Sequence, residues 1–352
     1  MAEPRTPILA LDRDQARSAL AALGVSALHA DRIRRRLLAG AEPLAERHGG
    51  YALPARLAQR LEQRFLWLSL QSVRRVGDTD GAEKHLLRLS DGETVEAVRL
   101  PGSDAPSACL STQVGCAVAC RFCASGLDGV RRNLEAHEIL EQVALLRRHG
   151  PVRRLVFMGA GEPTHNLRAL AQALVVLRDE AEIGPRSVLV STVGPAAAVD
   201  RLASLGLKFT LALSLHSVAR DVRASLIPTQ PGVDPLELLA AADRFHALTG
   251  RSYQVEYVLL ADVNDARADA RALSRALRGR RAHVSVIAWN PVPGMPFRTP
   301  EAARTRAFLE VLHEEGVSCT LRRTVGGEVA AACGQLRAGS DFQAAAARNL
   351  EF

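Results

Sequence analysis

Hydrophobic and polar positions along the chain change their period twice, and each change predicts a different kind of structure. Up to about residue 55 the apolar positions recur at helical spacing, in LDRDQARSALAALG and then in ALHADRIRRRLLAG. Between residues 71 and 100 the runs SVRRV, HLLRL and TVEAVRL alternate and are separated by GDTDG and SDG, a pattern typical of β-hairpins. From about residue 108 onward, short strand-like runs alternate with longer helical ones.

The third section predicts the main fold. Its strand-like runs are ACLST, VRRLVFMG, SVLVST, KFTLALSL, YQVEYVLL and HVSVIAW, and helical patterns such as NLEAHEILEQVALLRRH, NLRALAQALVVLRD and DPLELLAAADRFHALTG lie between them. Strands that alternate with helices indicate parallel βαβ units. Because six units do not close an eight-stranded barrel, we predict an α/β fold with a partial (β/α)6 barrel.

These changes of pattern predict four segments. Residues 1–55 would form an N-terminal helical accessory domain that binds RNA, residues 56–107 a small β-rich hairpin connector, residues 108–336 the partial barrel, and residues 337–352 a C-terminal tail. Four arginines, Arg32, Arg34, Arg35 and Arg36, cluster in the second helical pattern. We expect them to form a solvated helix face, with contact to RNA phosphates as the alternative.

Composition narrows the class of protein. Hydrophobic residues make up 47% of the 352 positions and charged residues 24%, as in ordinary globular proteins. The N-terminus lacks a signal-peptide pattern and no apolar run reaches the ~18 residues of a membrane span, so we expect a cytoplasmic protein. The net charge of +7 suggests an anionic partner such as RNA, although the rarity of lysine also fits a coding bias towards arginine.

The residues with chemical potential follow the predicted strands. In parallel barrels the active site forms from the loops at the carboxyl ends of the strands. Cys116, Cys120 and Cys123 follow the first strand, with Cys109 seven positions ahead of them. The polar or glycine-rich positions after the later strands include Gly161, Glu162, Ser191, Ser214, His216, Asn264 and Asn290.

Six cysteines in a chain of this kind indicate metal or redox chemistry rather than a disulfide framework. Thiolates spaced C-x3-C-x2-C suit zinc or an iron–sulfur cluster. Structural zinc takes four ligands, usually from two pairs spaced like C-x2-C, and the sequence has no second pair of this kind. Three ligands on a [4Fe–4S] cluster instead leave one iron open to bind something else.

The C-x3-C-x-aromatic-C pattern, with Phe122 as its aromatic residue, resembles the signature of the radical S-adenosylmethionine (SAM) superfamily. The motifs VEAVRLP, CLSTQVGCAVACRFCASG, MGAGEP, ALSLHS, VEYVLLADVND, WNPVPG and AACGQL follow in order between about residues 93 and 336. Their order resembles the RlmN/Cfr family of radical SAM RNA adenine methyltransferases. The resemblance implies a [4Fe–4S] cluster on Cys116, Cys120 and Cys123, with SAM on the open iron. It also implies SAM contacts at Gly161, Glu162, Ser191, Ser214, Leu215, His216 and Asn290.

The resemblance also implies a reaction that uses the other cysteines. One SAM would methylate Cys333, and a second would be cleaved to a 5′-deoxyadenosyl radical that takes hydrogen from this methyl group. The resulting carbon radical would add to adenine, Glu96 would accept a proton, and Cys109 would release the product by forming a transient disulfide with Cys333. The product would be 2-methyladenosine in 23S rRNA, with tRNA left open as a second substrate. A flavodoxin-like electron donor and a monomer without a membrane anchor are further expectations.

Several alternatives remain open at the level of sequence. The C8-methylating branch of the family shares every one of these residues, and a paralogue with a shifted RNA target would explain departures such as Ala160 and Val130, where the family usually has methionine and an aromatic residue. A non-catalytic RNA-binding protein with a structural metal and a small-molecule radical SAM enzyme are the remaining classes. Among single residues, Glu96 alternates with apolar neighbours as on a solvated strand face, Cys109 fits a buried strand cysteine, and Cys319 is predicted to lie in the core.

Overall fold

The computed structural model describes residues 5–44, 53–102 and 105–337. The predicted C-terminal tail therefore lies outside the described residues, apart from Arg337. Helices in this part of the chain are α1 Arg13–Ala21, α2 Ala27–Leu38, α3 Ala55–Arg64, α4 Ala136–Arg147, α5 Leu167–Asp179, α6 Ala196–Ala203, α7 Arg220–Leu226, α8 Pro235–Thr249, α9 Arg267–Leu277 and α10 Ala302–Glu314. None of the helices in these ranges has the length and apolar character needed to cross a membrane.

One large sheet organises the molecule. The strands are β1 Thr6–Pro7, β2 Phe65–Leu66, β3 Gln71–Gly77, β4 Glu83–Arg88, β5 Thr94–Leu100, β6 Ser107–Cys109, β7 Gln113–Gly115, β8 Val130–Asn133, β9 Arg154–Phe157, β10 Val188–Thr192, β11 Thr210–Ser214, β12 Tyr253–Leu259, β13 Ala282–Ala288 and β14 Cys319–Leu321. Ten of them form one sheet in the order β14-β13-β12-β11-β10-β9-β6-β5-β4-β3. The strands from β6 through β14 in this order pair in parallel, and β3, β4 and β5 add an antiparallel extension beside β6.

This arrangement confirms the predicted partial barrel and differs from it in two details. The first barrel strand ends at Cys109 rather than continuing to Thr112, because the chain turns there into the cysteine loop. A seventh parallel strand, β14, pairs with β13 and is only three residues long, and the prediction of six units did not include it. Its first residue, Cys319, is buried as predicted.

Local sequence explains where the helices begin and end. Asp12 caps α1 by accepting the backbone N–H of Gln15, whose side chain binds the Asp12 N–H in return. Pro235 stands at the first position of α8, which needs no backbone donor, and Asp234 caps it. The same helix stops at Gly250 in the left-handed conformation that glycine adopts without steric cost.

The N-terminal helices pack directly on the barrel. Leu20 of α1 and Leu37 of α2 belong to the same hydrophobic core as Leu140 of α4 and Leu155 of β9. The boundaries proposed at residues 55, 107 and 336 stay predictions, but the helices of the first segment share one core with the third.

Arg34 corrects the prediction of a solvated arginine face on α2. Its side chain is fully buried and donates to both carboxylate oxygens of Glu180, at 2.6 and 3.1 Å. It also donates to the carbonyls of Ile8 and Leu11, both at 2.8 Å. Arg32 and Arg35 are exposed as expected. Helical periodicity places one of four neighbouring arginines towards the barrel, where a buried carboxylate receives it.

Candidate active site

The cysteine loop is closed and anchored from several sides. A short antiparallel pair, β7 and β8, forms its base. The indole N–H of Trp289, after β13, donates to the carbonyl of Phe122 at 2.9 Å. The hydroxyl of Thr229 donates to the carbonyl of Val118 at 2.6 Å. The loop is therefore fixed over the carboxyl ends of the barrel strands, where the sequence places it.

The three cysteines of this loop line one cavity, here called the cysteine-loop cavity. Burial raises the pKa of the Cys116 thiol to about 12, and it also raises the pKa values of Cys120 and Cys123. The buried guanidinium of Arg223 opposes this effect at Cys120. The apolar residues packed around the thiols include Val118, Phe122, Ile227, Val258 and Trp289.

This donor set fits an iron–sulfur cluster. Ionising three thiols inside an apolar shell is unfavourable when the thiolates stay free. Binding to iron offsets this unfavourable free energy, because the positive metal stabilises the thiolates. Among the described residues, no three His, Cys, Asp or Glu side chains converge as ligands of a single ion do. A [4Fe–4S] cluster asks for a wider arrangement, since each thiolate binds a different iron.

The glycine-rich loop after β9 forms the wall beside the cysteines. Gly161 has φ of +102°, and a Cβ there would lie 2.6 Å from the Cβ of Gln113, so a larger residue would not fit. The carboxylate of the buried Glu162 accepts the backbone N–H groups of Thr164 and Val193, both at 3.1 Å. Burial raises the pKa of Glu162, and these hydrogen bonds act in the opposite direction.

His216 enters the same cavity from the end of β11 in a left-handed conformation, with φ of +59°. Asn264 supports it by donating to its carbonyl at 2.7 Å. Burial, assisted by Arg223, lowers the pKa of His216 to about 3, so the ring is neutral. Its Nδ1 accepts the N–H of Val258 at 3.2 Å, which leaves the proton on Nε2. The ring also packs edge-on against Phe122 at 4.8 Å.

Polar side chains from three further strands complete the wall. The hydroxyls of Ser191 on β10 and Ser214 on β11 lie 3.0 Å apart. Asn290, just beyond β13, donates from Nδ2 to the carbonyl of Cys333 at 3.1 Å and accepts the hydroxyl of Thr324 at 2.9 Å. The loop after β13 thereby holds the chain segment that carries Cys333.

Cys333 lies between the cysteine-loop cavity and a second one, here called the Cys109 cavity. Cys333, Asn290 and Met158 line both cavities, whereas Cys109 lines only the second. Burial raises the pKa of Cys109 to about 12, the nearby Cys333 adds to the rise, and Arg322 opposes it. The apolar residues clustered with Cys109 are Val98, Val329, Ala331 and Leu336. The fold thus places the two cysteines that the resemblance pairs, 224 positions apart, at one cavity.

Glu96 lies on β5 and is 1% exposed, so the alternative of a solvated strand face is wrong. Its carboxylate pairs with the buried Lys84 at 3.2 Å and accepts the backbone N–H of Arg337 at 2.7 Å. Lys84 also donates to the carbonyl of Ala330 at 3.2 Å. This ion pair therefore fixes both ends of the segment that carries Cys333, although Glu96 lines neither cavity.

The structure brings most of the predicted site residues together. The three loop cysteines, Gly161, Glu162, Ser191, Ser214, His216, Asn290 and Cys333 all line the cysteine-loop cavity. The side chain of Leu215 points instead into the hydrophobic core, so only its backbone can face a ligand. Sequence reasoning missed Arg223, Glu256 and Arg322. Glu256 was visible as the one charged residue within the apolar run of β12, whereas the two arginines had no distinguishing signal.

A model of the radical SAM superfamily matches residues 110–274. A solved structure described as a radical SAM methyltransferase from Sphaerobacter thermophilus superposes with a TM-score of 0.86. It is 37% identical, and the match covers 94% of this chain and 99% of that one. The partial barrel and its three-cysteine cavity accordingly define a radical SAM protein.

Curated relatives narrow the class. A protein of Rhodopirellula baltica, named as a probable dual-specificity RNA methyltransferase RlmN, is 42% identical over 92% of this chain and 88% of its own length. A probable RNA methyltransferase of Chromobacterium violaceum is 38% identical over 91% of this chain and 92% of its own. The chain belongs to the RlmN family of radical SAM enzymes. Membership implies a [4Fe–4S] cluster and SAM as cofactors.

Proposed function

We propose that this chain methylates carbon 2 of an adenine in 23S rRNA through a methyl group first placed on Cys333. We propose tRNA as a second substrate of the same reaction. The observation that carries the proposal is the position of Cys333 in the wall shared by the two cavities. A sulfur in that position faces the cofactor side in one direction and Cys109 in the other. The family membership supports an RNA substrate, and the cytoplasm is the compartment we propose.

Cys116, Cys120 and Cys123 would hold the cluster, and Gly161, Glu162, Ser191, Ser214, His216 and Asn290 would surround SAM. Bound together, a reduced cluster and SAM supply a radical able to abstract hydrogen from a methyl group. One SAM is used to methylate Cys333 and a second supplies the radical, so each turnover uses two. A flavodoxin-like protein is the proposed electron source, and a monomer the proposed working form.

The chain's own residues account for the remaining steps. Ring carbons C2 and C8 of adenine are electron-poor, so neither attacks a SAM methyl directly, and a carbon radical carried on Cys333 can add where a nucleophile is lacking. The adduct then joins RNA to Cys333 and carries an unpaired electron. As the adenine carbon loses its proton, this electron returns to the cluster, which was oxidised when SAM was cleaved. The thiolate of Cys109 attacks the Cys333 sulfur, forming an S–S bond while the C–S bond to the nucleotide breaks. The electron pair of that bond passes to the methyl carbon, which takes up a proton.

Glu96 is the proposed proton acceptor for the hydrogen lost from the adenine carbon. Its support is the family pattern together with its place beneath the segment that carries Cys333. The ammonium group of Lys84 lies 3.2 Å from this carboxylate and holds it in place.

Expression of the chain in a bacterial host that lacks its own enzyme should produce 2-methyladenosine. Nucleoside mass spectrometry on separated rRNA and tRNA checks this result and shows which RNA is methylated. A host that carries the empty vector is the control. 8-Methyladenosine would move the protein to the C8 branch, and the absence of both products from cluster-loaded protein would contradict the proposed substrate.

Substitution of Cys120→Ala should remove most of the bound iron and the brown colour of the purified protein, because two thiolates do not hold a cubane stably. The matched control is Cys319→Ala, which removes a buried cysteine from β14 and should leave the iron content unchanged. Iron and sulfide analysis with the visible spectrum checks both variants. Equal iron in Cys120→Ala and the parent chain would refute the ligand assignment, as would zinc in place of iron.

A further inference from the structure

Arg322 follows β14 directly, and its positive charge acts on Glu256 in one cavity and on Cys109 in the other. Its guanidinium lines the Cys109 cavity. Its NH1 lies 3.8 Å from a carboxylate oxygen of Glu256 and donates to the sulfur of Met158 at 3.5 Å. Its backbone N–H is fixed to the carbonyl of Val286 at 2.7 Å. A guanidinium has five N–H donors and a thioether is a weak acceptor, so these contacts leave most of the donors of Arg322 able to bind another group.

Glu256 holds the guanidinium from the cofactor side. It lines the cysteine-loop cavity from β12, beside Ser214 in the sheet register, and is 3% exposed. Arg322 is the cation near its carboxylate, and the hydroxyl of Ser285 on the neighbouring strand is its polar neighbour. Burial raises the pKa of Glu256, whereas Arg322 and the hydroxyl of Ser285 lower it. A carboxylate buried in this way stabilises the nearby guanidinium and orients it.

Among the described residues that line the Cys109 cavity, none is a carboxylate, a histidine or another general base. A thiol must lose its proton before it can attack another sulfur. Burial raises the pKa of Cys109 to about 12, so near neutral pH this group is almost entirely the unreactive thiol. Two groups act on its charge: Cys333 disfavours the thiolate and Arg322 favours it. Cys123 and the exposed Arg323 are the other titratable and charged side chains lining this cavity among the described residues. The other neighbours of Cys109, Val98, Val329, Ala331, Leu336 and Met158, are uncharged.

We propose that Arg322, oriented by Glu256, is the positioning residue that stabilises the Cys109 thiolate during its attack on the sulfur of Cys333. The inference rests on the proposed function, which supplies the reason for that attack. Arg322 donates hydrogen bonds and charge and exchanges no proton itself. The proton of Cys109 passes to solvent before the attack.

The attack can be measured without RNA, SAM or turnover. In the cluster-loaded enzyme, the half-buried Cys333 is converted to a mixed disulfide with thionitrobenzoate, and peptide mass spectrometry confirms the site. Attack by Cys109 forms the Cys109–Cys333 disulfide, breaks the bond to thionitrobenzoate and releases this coloured thiolate. The rate of release is followed across pH. Cys109→Ala, which releases nothing by this route, gives the background.

In Arg322→Gln we expect release near neutral pH to be about five- to tenfold slower, with rates that approach those of the parent chain at high pH. Arg322→Lys should recover part of the rate, because it keeps the charge but not the planar donor geometry. Arg281→Gln removes the same charge from an exposed side chain that lines neither of the two cavities, and should leave the rate within about twofold.

An unchanged rate in Arg322→Gln overturns the proposal, and so does a decrease of equal size at every pH, which would indicate altered packing. An equal decrease in Arg281→Gln would also overturn it, because the effect would then be a general loss of positive charge. If Arg322→Gln does not fold, Arg322→Lys and Arg322→Met take its place, and the lysine variant must release faster than the methionine variant. Failure of RNA methylation with a normal release profile would contradict the proposed function and leave the role of Arg322 intact.

Discussion

Replacing Cys109 by alanine should leave RNA covalently attached to the protein at Cys333. The adduct should still form, because the steps before release do not use Cys109. Free methylated RNA should fall by at least about a hundredfold, because release does use it. The cavity explains why the adduct should persist. Its walls beside Cys109 are apolar, so water has poor access to the C–S bond that must break.

Gel mobility after denaturation and mass spectrometry of the Cys333 peptide would detect this adduct. Cys333→Ala should give neither product nor adduct, since the site of methyl transfer is gone. Cys319→Ala, another buried strand cysteine, should behave like the parent chain. Free product from Cys109→Ala at the parent rate would mean that a different group releases the RNA, and the assignment of Cys109 would be wrong.

Replacing Arg34 by methionine should lower the free energy of unfolding by about 3–5 kcal/mol, although Arg34 lies far in sequence from the barrel. The substitution leaves the carboxylate of Glu180 buried without its partner, and it removes the donors to the carbonyls of Ile8 and Leu11. Equilibrium unfolding in urea measures the difference in the free energy of unfolding, with the same denaturant slope (m value) used for both proteins.

Arg35→Met is the matched control, because Arg35 lies one position further along the same helix and is exposed. It should leave the unfolding midpoint almost unchanged. The double variant Arg34→Met with Glu180→Met should regain a large part of the lost stability, since no charge is then buried unpaired. Equal destabilisation by Arg34→Met and Arg35→Met would show that the buried pair contributes little.

The order of strands and helices was predictable because their periods are local properties. Buried runs such as YQVEYVLL and the alternating TVEAVRL predicted β12 and β5, and the hairpin turns predicted the antiparallel β3, β4 and β5. Short elements such as β7 and β8 were missed because three or four residues carry no recognisable period. The spacing of Cys116, Cys120 and Cys123 was also local, so the cluster-binding loop was accessible from the sequence.

The neighbours of the functional residues depended on contacts between distant parts of the chain. Arg34 and Glu180 are 146 positions apart, and Lys84 and Ala330 are 246 apart. No pattern in the sequence separates Arg34 from Arg35, or Arg322 from Arg323; only packing against the barrel buries one of each pair more deeply. The same holds for Glu96, whose alternation fitted a solvated face until the C-terminal segment covered it.

The sequence by itself therefore determined the partial barrel, the cysteine loop and the family, because period and spacing act over a few residues. Only the tertiary structure decided that Cys333 lies between two cavities, that Lys84 and Glu96 anchor its segment, and that Arg322 and Glu256 form the charged pair beside it. These features arise from the register of parallel strands and the return of the C-terminal segment across the sheet. Burial and charge at each site follow from those long-range contacts, which a single sequence does not display.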